Sequence, residues 1–363
     1  MSHHQCREHG IHMGLKVALL CFCLAAGLPA AESNNPAPEG AGSSKRQLNR
    51  AAADHLFTNA TVLRLRLAIS KDGMQSLRRE PRKYVEATLW EGNASYERVG
   101  AHVKGAAGSF RPIDDKPGLT VNMTVMGGTN RFHGLKKFHL NNSAQDASCL
   151  SEYVCGEMFR QAGIPSARAG LAIVELNGRK LGVSVLLESM DKDFLAQYFP
   201  QSKGNLYGQR GNCDVIDAIE RMEGEEPEDR ADLKALAAAA REPDPARCWE
   251  RLQNTLDVDR FVSFMALELM LGHWDGYCLN RNNFRIYHDP AANRMVFLPH
   301  DLDQLMQNAS APLWNPGLKG LVAQAVWKSP EIRFRERVGT LFTNVFVAPE
   351  LTSRLDRRVA QVL

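Results

Sequence analysis

Strand-forming and helix-forming patterns occupy different halves of this 363-residue chain, and that division constrains its fold more than any other feature. Residues 62–70 (VLRLRLAIS) alternate apolar and basic side chains, the period-two pattern of a half-buried strand, and residues 84–92 return to it. Residues 171–188 hold two apolar runs around Asn177 and Gly178, a residue pair typical of tight β-hairpin turns. The first half is therefore predicted to be mainly strand.

The second half reads differently. Helical patterns begin near residue 190 and include residues 257–274, and a single strand pair interrupts them, NNFRIYHD and RMVFLPHD around the turn PAAN. Strands first and helices later predict an α+β fold. We expect two lobes, a β-rich N-lobe over residues 56–188 and a helical C-lobe over 189–363, with any ligand between them.

One helix is expected within the strand-rich half, over residues 146–165. Asp146 or Ser148 can cap its start, and Gly163 followed by Pro165 ends it. Its apolar face carries Leu150, Tyr153, Val154, Met158 and Phe159.

The N-terminal segment is predicted to be a targeting signal. Lys16 precedes an apolar run, VALLCFCLAAGLPAA, that resembles the core of a signal peptide, and small residues follow before Glu32. A membrane anchor is the alternative, but the run is shorter than the ~20 residues of a membrane span. We expect a signal peptide over residues 1–31, a flexible linker over 32–55, and export to the periplasm, the cell surface or the medium.

Composition excludes some partners and leaves the cysteines open. The 44 Lys and Arg against 41 Asp and Glu give a net charge of +3, which provides no reason to expect nucleic-acid binding. No later stretch is long and apolar enough for a membrane span, so none is expected in the mature chain. After cleavage an odd number of cysteines remains, which requires at least one free thiol or an intermolecular partner and leaves room for one disulfide. They are Cys149, Cys155, Cys213, Cys248 and Cys278.

A glycine-rich turn between strands is the first segment that could carry chemistry. Residues 104–111 (KGAAGSFR) are followed by Lys116, and such a backbone can approach phosphate oxygens while Ser109, Arg111 and Lys116 add donors and charge. It is not a Walker A loop, because no Gly-Lys-Ser/Thr opens a helix. A plain β-turn with basic flanks is the alternative.

The second segment follows an apolar helix, where Asp275 precedes Asn280, Asn282 and Asn283. Phosphotransferases use such an Asp to accept the proton of the nucleophile and an Asn oxygen to coordinate Mg²⁺. The alternative is that Asp275 caps a turn and the asparagines support a loop.

The third segment leaves a strand with Asp301 and Asp303, two hard oxygen ligands suited to Mg²⁺ or Ca²⁺. Asp303 could instead cap a turn. Because a hairpin separates this segment from Asp275, we expect the two segments to lie close together. The three segments taken together favour phosphoryl transfer.

Six separated motifs resemble the CotH kinase family of atypical, spore-coat-type protein kinases. In family order, they are KGAAGSFRPIDDKPGLTV, KKFHLNNSAQDASCLSEYVCGEMFRQAGIP, VELNGRKLGVSVLLESMDKDFL, GNLY, HWDGYCLNRNNFRIYHD and VFLPHDLDQLM. The resemblance covers residues 100 to 306. It implies an atypical bilobed protein-kinase-like fold that uses ATP and Mg²⁺ (or Mn²⁺ or Ca²⁺).

The resemblance also implies roles for individual residues. Asp275 matches the catalytic Asp of the family's Asp-Gly-Tyr/Phe motif, and Asp301 matches its metal-binding Asp, with His300 in place of the usual Trp. Lys116 matches the lysine expected to pair with nucleotide phosphates. Glu188 would lie where the chain crosses between lobes, near the adenine.

Three of these assignments remain open. Counting forward from Asp275 gives Asn280 as the metal amide, whereas counting back from the following strand gives Asn283. Lys137 is a rival to Lys116, or else a solvent-facing strand lysine. The glutamate that holds the phosphate lysine is expected on the helix over 146–165, either at Glu152 or at the equally spaced Glu157.

The predicted function is that of an exported protein kinase that transfers the γ-phosphoryl group of ATP to Ser or Thr of a protein substrate. One alternative is a non-catalytic surface or envelope protein that uses the same fold for binding or assembly. Another is a different transfer from ATP, such as nucleotidylation or ligation of amino acids, for which the same ligands would serve.

Overall fold

The structure is a computed structural model of the chain. It describes residues 42–59, 61–208, 211–217, 219–224, 230–308, 310–346 and 349–362. The predicted signal peptide over residues 1–31 and the first part of the predicted linker lie outside these residues.

Helix α1 (Gly42–Thr58) occupies most of the segment predicted to be a flexible linker. Ala53 and Phe57 are spaced one helical turn apart and are both buried against the core of the following barrel. The prediction over residues 42–55 was therefore wrong. The Gly- and Ser-rich composition of the segment does not indicate a helix. The helix forms because a short apolar face packs on the rest of the protein.

Seven strands form a closed barrel in the order β1-β2-β3-β4-β5-β7-β6. Neighbouring strands pair antiparallel except β1 and β6, whose parallel pairing closes the barrel. The strands are β1 (Leu63–Ile69), β2 (Val85–Glu91), β3 (Ala94–Lys104), β4 (Gly118–Asn122), β5 (Lys137–Asn141), β6 (Ala169–Leu176) and β7 (Arg179–Glu188).

The predicted hairpin is confirmed as β6 and β7. Asn177 and Gly178 have φ values of 48° and 79°, the left-handed conformations that a two-residue hairpin turn requires. The Asn177 side chain also accepts a hydrogen bond from the Ile69 amide (2.8 Å) and donates one to the Ile69 carbonyl (2.9 Å), which fixes the turn to the end of β1.

Two helices interrupt the barrel strands, α2 (Lys71–Arg79) and α3 (Ser151–Gln161). Helix α3 begins later than predicted, but Asp146 still acts at its start because its Oδ2 accepts a hydrogen bond from the Ser151 amide (2.9 Å). Cys155 and Phe159 of α3 are buried in the core of the C-terminal half, so this helix connects the barrel to the rest of the fold.

The C-terminal half is predominantly helical around a four-stranded sheet of order β11-β10-β8-β9. Its strands are β8 (Leu206–Gly208), β9 (Glu220–Glu223), β10 (Phe284–Asp289) and β11 (Arg294–Pro299). Its α-helices are α4 (Lys192–Tyr198), α5 (Ala231–Ala240), α6 (Pro245–Thr255), α7 (Val258–Met270), α8 (Tyr277–Asn280), α9 (Leu321–Trp327), α10 (Phe334–Leu341) and α11 (Pro349–Val362). A π-helical turn over Phe342–Phe346 follows α10.

The prediction of a mixed fold is confirmed, because helices and sheets are both present and strands dominate the part before residue 188. The β10–β11 hairpin and helix α7 were also predicted correctly. Strands β8 and β9 and helix α6 were not predicted; β8 and β9 are too short to carry a period-two pattern. The β-rich part is a closed barrel rather than an open sheet.

The cysteines Cys149, Cys155, Cys213, Cys248 and Cys278 are all free. Within the described part of the chain these cysteines form no disulfide with one another, so the single disulfide for which the sequence left room is not formed. Burial raises the pKa of the Cys155 and Cys278 thiols well above the usual range, as expected of cysteines that act as small core residues. Among the residues described, no helix has both the length and the apolar character that crossing a membrane requires.

Candidate active site

One outer face of the barrel carries polar side chains toward the C-terminal half. In β3, β4 and β5, alternate residues such as Val103 and Leu140 point into the barrel core, and the residues between them point outward. The outward residues lie in register across the three strands, His102 opposite Thr120 and Thr120 opposite His139. This arrangement gathers basic and hydrogen-bonding groups on one surface.

Lys104, the last residue of β3, is connected to helix α3 through this face. Its Nζ donates a hydrogen bond to Asn141 Oδ1 (2.5 Å), and Asn141 Nδ2 donates one to Glu152 Oε1 (3.1 Å). Glu152 is 3% exposed. A single amide thus separates a lysine from a buried glutamate.

Glu157, the alternative to Glu152, lies elsewhere. Its carboxylate pairs with Arg160 at 2.8 Å, and it lines a cavity of about 500 Å³ together with Arg168 and Tyr198. That cavity includes neither Asp275 nor Asp301 among its lining residues. Of the two glutamates, Glu152 is the one that the structure brings together with the other candidate site residues.

Glu152 belongs to a cluster of carboxylates with Asp301 and Asp303. Burial raises the pKa of Glu152 to about 8, and the charges of Asp301 and Asp303 add to the rise while Lys104 opposes it. Burial likewise raises the pKa of Asp303 to about 7, with Asp301 contributing next. A positive charge placed among these groups would relieve their mutual repulsion.

The Asp303 carboxylate has one oxygen atom whose hydrogen bonding is not satisfied by the protein. The side chain is 7% exposed, and its Oδ1 is a buried oxygen that no donor from the described residues reaches. Buried polar atoms in native proteins are nearly always hydrogen-bonded, and a bound ion is one of the standard reasons for an exception.

The Asp275 carboxylate is held by three side-chain amides. Asn280 Nδ2 donates to Oδ1 at 2.6 Å, and the Nδ2 atoms of Asn282 and Asn283 donate to Oδ2 at 3.0 and 3.1 Å. These bonds fix the orientation of a half-buried carboxylate that solvent can still reach. The predicted grouping of Asp275 with the asparagines is therefore present in the structure.

Buried groups behind Asp275 fix the loop. Glu268 of α7 is fully buried, and its carboxylate accepts hydrogen bonds from the amides of Tyr277 (3.0 Å) and Cys278 (2.8 Å). The Tyr277 hydroxyl donates to Asp214 Oδ1 (3.0 Å). Sequence reasoning missed Glu268, although a single acidic residue inside the apolar run FMALELML was a signal that could have identified it.

Gly276 is required by the close approach of this loop to α7. A Cβ atom at this position would lie 2.5 Å from Glu268 Oε1 and 2.7 Å from His273 Nδ1, well inside contact distance. Close packing therefore explains why a glycine occupies the second position of the Asp-Gly-Tyr motif.

Replacing Gly276 with alanine should destabilise the protein. We expect Gly276→Ala to lower the free energy of unfolding by about 1–3 kcal/mol, the usual cost of overpacking. Urea denaturation would measure this change. Gly339→Ala in α10 is the matched control, because nothing lies within 4 Å of its added Cβ. Equal stability of the two variants would contradict the packing argument.

The loop of Asp275 and the loop of Asp301 are joined directly. The register of the β10–β11 hairpin places Phe284 opposite Pro299, and the His300 amide donates to the Asn283 carbonyl at 3.0 Å. The prediction that this hairpin brings the two acidic segments together is confirmed. Asn283 and Asp301 both adopt positive φ values, 48° and 56°, at the two ends of this contact.

His300 is neutral and accepts a hydrogen bond. Burial lowers the pKa of His300 well below its usual range, and the charge of Arg285 lowers it further. Arg285 Nη2 lies 2.9 Å from His300 Nε2, so that nitrogen acts as the acceptor. Burial also lowers the pKa of Arg285, to about 10, against the opposing charge of Asp301. An arginine thus lies beside the acidic segment.

The glycine-rich turn is held together largely by its own residues. Ser109 Oγ accepts from the Ala106 amide (3.1 Å), and Arg111 Nη1 donates to the carbonyls of Gly108 and Phe110 (3.0 and 2.8 Å). Lys116 is half-buried in the same connection. The lysine whose charge lowers the pKa of Glu152 and Asp303 is Lys104. Lys104 is part of the segment KGAAGSFR, but it was not predicted to be a site residue.

Lys137 and Glu188 lie at the opposite end of their strands from Lys104 and Asn141. Lys137 begins β5 on the same face as His139 and lowers the pKa of that histidine, although burial and Lys104 have larger effects. Glu188 ends β7, and its carboxylate is bound by Arg168 at 2.6 and 2.8 Å and by Gln197 at 2.8 Å. The Glu188 carboxylate therefore already makes hydrogen bonds within the protein.

A divalent cation fits the donors at the acidic segment. No group of three or more His, Cys, Asp or Glu side chains in a metal-binding arrangement occurs in the described part of the chain. Mg²⁺ requires less, because it usually binds through one or two carboxylates and completes its shell with water and substrate phosphates. Asp301, Asp303 and Asn283 would provide two carboxylates and an amide, with one buried oxygen already lacking a donor.

Comparison with known proteins identifies relatives of this chain. A family model described as CotH kinase protein matches residues 109–363. The inner spore coat protein H of Bacillus subtilis is 24% identical over 186 residues, which cover 47% of this chain and 50% of that protein. The invasins CotH2 and CotH3 of Rhizopus delemar are each 22% identical, over 49% and 53% of this chain and 33% and 35% of their own lengths.

The chain thus spans about half the length of the first relative and about a third of the other two. Among solved structures, the Helicobacter pylori proinflammatory kinase CtkA aligns over 71% of this chain and 91% of its own, at 11% sequence identity and a TM-score of 0.31.

Proposed function

Because the chain belongs to the CotH kinase family, we propose that it is a metal-dependent phosphotransferase that moves the γ-phosphoryl group of ATP to Ser or Thr hydroxyls of a protein. One observation carries the proposal. The Asp275 carboxylate, held by three amides, is joined to the acidic segment of Asp301 and Asp303 by the His300–Asn283 hydrogen bond.

We assign the phosphate-binding role to Lys104. The charge of Lys104 lowers the pKa of Glu152, and Asn141 connects the two side chains through hydrogen bonds. The ammonium group would therefore be held in position to bind a nucleotide phosphate. Ser109, Arg111 and Lys116 would add donors from the glycine-rich turn, and Lys137 would add charge from the same barrel face. The barrel would then act as the N-lobe of a bilobed, kinase-like fold, with the adenine near the chain crossing after Glu188.

We assign the metal to Asp301, Asp303 and Asn283. Asn283 is preferred to Asn280 because its backbone carbonyl accepts a hydrogen bond from His300, the residue before Asp301, whereas Asn280 Oδ1 accepts one from Lys319. When bound, Mg²⁺ (or Mn²⁺ or Ca²⁺) would neutralise charge on the transferred phosphoryl group.

Asp275 would act on the acceptor. Its oriented carboxylate can hold the Ser or Thr hydroxyl in line with the γ-phosphorus and accept its proton as the new O–P bond forms. The bond between the γ-phosphorus and the bridging oxygen breaks, and ADP leaves. Positioning and charge neutralisation account for most of the rate enhancement in this chemistry.

We also propose that the mature protein acts outside the cytoplasm. The leader-like N-terminal sequence supports export, as do relatives named as a spore coat protein and as invasins. Recovery of a mature chain beginning near residue 31 or 32 from the extracytoplasmic fraction would support export. Recovery of an intact cytoplasmic chain would contradict it.

Labelled ATP tests the proposed reaction. The mature protein would be incubated with Mg²⁺, a generic protein acceptor, and ATP labelled at either the γ- or the α-phosphate. We expect label on the acceptor only from the γ-position. Transfer from the α-position would indicate nucleotidylation, and no transfer from either position would favour a non-catalytic binding protein.

The raised pKa values lead to a prediction about stability. In the metal-free protein, Glu152 and Asp303 hold their protons more tightly when folded than when unfolded. Their contribution to stability is therefore fully present below their usual values of 4.5 and 3.8 and is lost as pH rises toward about 8 and about 7. A bound cation should offset that loss.

Thermal unfolding with and without Mg²⁺ would measure the effect. We expect the increase in Tm on adding Mg²⁺ to be larger at about pH 8 than at about pH 5, where protons compete with the metal. Asp303→Asn removes one of the charges and should reduce this difference. Equal Mg²⁺-induced shifts at the two pH values would contradict the assignment of a metal to this cluster.

A further inference from the structure

Lys319 lies one side chain away from the Asp275 carboxylate. Its Nζ donates a hydrogen bond to Asn280 Oδ1 (3.3 Å), and Asn280 Nδ2 donates to Asp275 Oδ1 (2.6 Å). Lys319 belongs to the connection between β11 and α9, more than forty residues after Asp275 in the chain. The fold therefore brings an exposed ammonium group close to Asp275.

The backbone around Lys319 is fixed against the Asp275 loop. The amides of Lys319 and Gly320 both donate to the Cys278 carbonyl, at 2.8 and 3.3 Å. Gly320 is needed for this approach, because a Cβ there would lie 2.8 Å from the ring of Tyr277. The segment is thus packed onto the helix that follows Asp275.

The next two residues are anchored as well. The Leu321 amide donates to Asp214 Oδ2 (2.8 Å), and the Val322 amide donates to the Tyr277 hydroxyl (3.0 Å). Asp214 and Tyr277 are themselves hydrogen-bonded to each other. Since backbone atoms hold the position of Lys319, its side chain is not needed to keep the segment in place.

The charge of Lys319 lies where phosphoryl transfer would need it. Lys104 acts at the acidic cluster, on the nucleotide side of the proposed site. The γ-phosphoryl group must pass from there toward the acceptor hydroxyl held by Asp275. Charge on the oxygens of that group has to be stabilised along this path, and a positioned cation is an effective way to do so.

We propose that Lys319 is a further catalytic residue that contacts the γ-phosphoryl group during its transfer. Its hydrogen bond to Asn280 would hold the ammonium beside Asp275 before substrates bind. In this step the acceptor proton goes to Asp275, the O–P bond forms to the acceptor, and ADP carries away the bridging oxygen. This inference rests on the proposed phosphotransferase function.

Three variants of the mature protein test the role in turnover. Lys319→Ala should lower kcat by about 10²-fold, as for the loss of one electrostatic contact to a transition state. Lys319→Arg keeps the charge and should recover much of that loss. Lys234→Ala, which removes an exposed lysine of α5, is the matched control and should leave kcat unchanged.

Binding measurements separate this inference from the proposed function. A non-hydrolysable ATP analogue should bind more weakly to Lys319→Ala than to the wild type, whereas ADP, which lacks the γ-phosphate, should bind equally to both. Suppose that Lys319→Ala binds both nucleotides, with the analogue affinity and the kcat of the wild type. That result would overturn the role of Lys319 and leave the proposed function standing. Equal losses in Lys319→Ala and Lys319→Arg would also overturn it, because they would indicate a structural role. A wild type that binds neither nucleotide would overturn the proposed function together with this inference.

Discussion

Asp275→Asn should lower the rate of phosphoryl transfer by about 10²–10⁴-fold, the usual contribution of a general base. Asparagine keeps the size of the side chain and one acceptor oxygen but cannot take the proton of the acceptor hydroxyl. The amides of Asn280, Asn282 and Asn283 all donate to this carboxylate. In the variant, one accepting oxygen is replaced by an NH₂ group, which cannot accept a hydrogen bond from them. Steady-state kinetics at saturating ATP would measure the loss in kcat.

A matched control distinguishes catalysis from a general effect of losing a charge. Asp356→Asn removes an exposed carboxylate of α11 and should retain wild-type kcat. Thermal unfolding of Asp275→Asn should show that the protein still folds, because Glu268 continues to hold the loop through the Tyr277 and Cys278 amides. A kcat within a few-fold of the wild type would remove Asp275 from the catalytic role.

Asp301→Asn should abolish the dependence of nucleotide binding on Mg²⁺. The charge of Asp301 raises the pKa of both Glu152 and Asp303, so the three carboxylates form one acidic cluster. Removal of the Asp301 charge takes away one of the two carboxylates assigned to the metal, which should weaken the divalent site strongly. The increase in Tm produced by Mg²⁺ and ATP together should therefore disappear.

The same substitution should not unfold the protein. Loss of the Asp301 charge removes a favourable interaction with Arg285 but relieves its repulsion of Glu152 and Asp303, so Asp301→Asn without metal should remain folded. Asp356→Asn again provides the control and should show the full increase in Tm. A wild-type increase in Asp301→Asn would mean that the cation binds elsewhere.

Much of the strand framework could be predicted from local sequence. The Asn177-Gly178 turn and the alternation in β1 are set by neighbouring residues, and so is the β10–β11 hairpin. That hairpin also places the Asp275 and Asp301 segments together, so local sequence predicts that two of the three candidate segments lie close together.

Other features depended on contacts that local sequence does not report. Alternation predicts that Lys104 lies on a strand, but only the closed barrel determines that it faces Asn141 and Glu152. Helix α1 forms because Ala53 and Phe57 pack on the barrel, which its composition did not suggest. Lys319 reaches the site through Asn280 from a distant part of the chain.

The central claim is that Asp301 serves the metal and nucleotide whereas Asp275 serves the acceptor. Calorimetric titration of ATP in the presence of Mg²⁺, into the wild type, Asp275→Asn and Asp301→Asn, tests it directly. We predict near wild-type affinity for Asp275→Asn and a large loss for Asp301→Asn. A large loss for Asp275→Asn with unchanged binding to Asp301→Asn would contradict this division of roles.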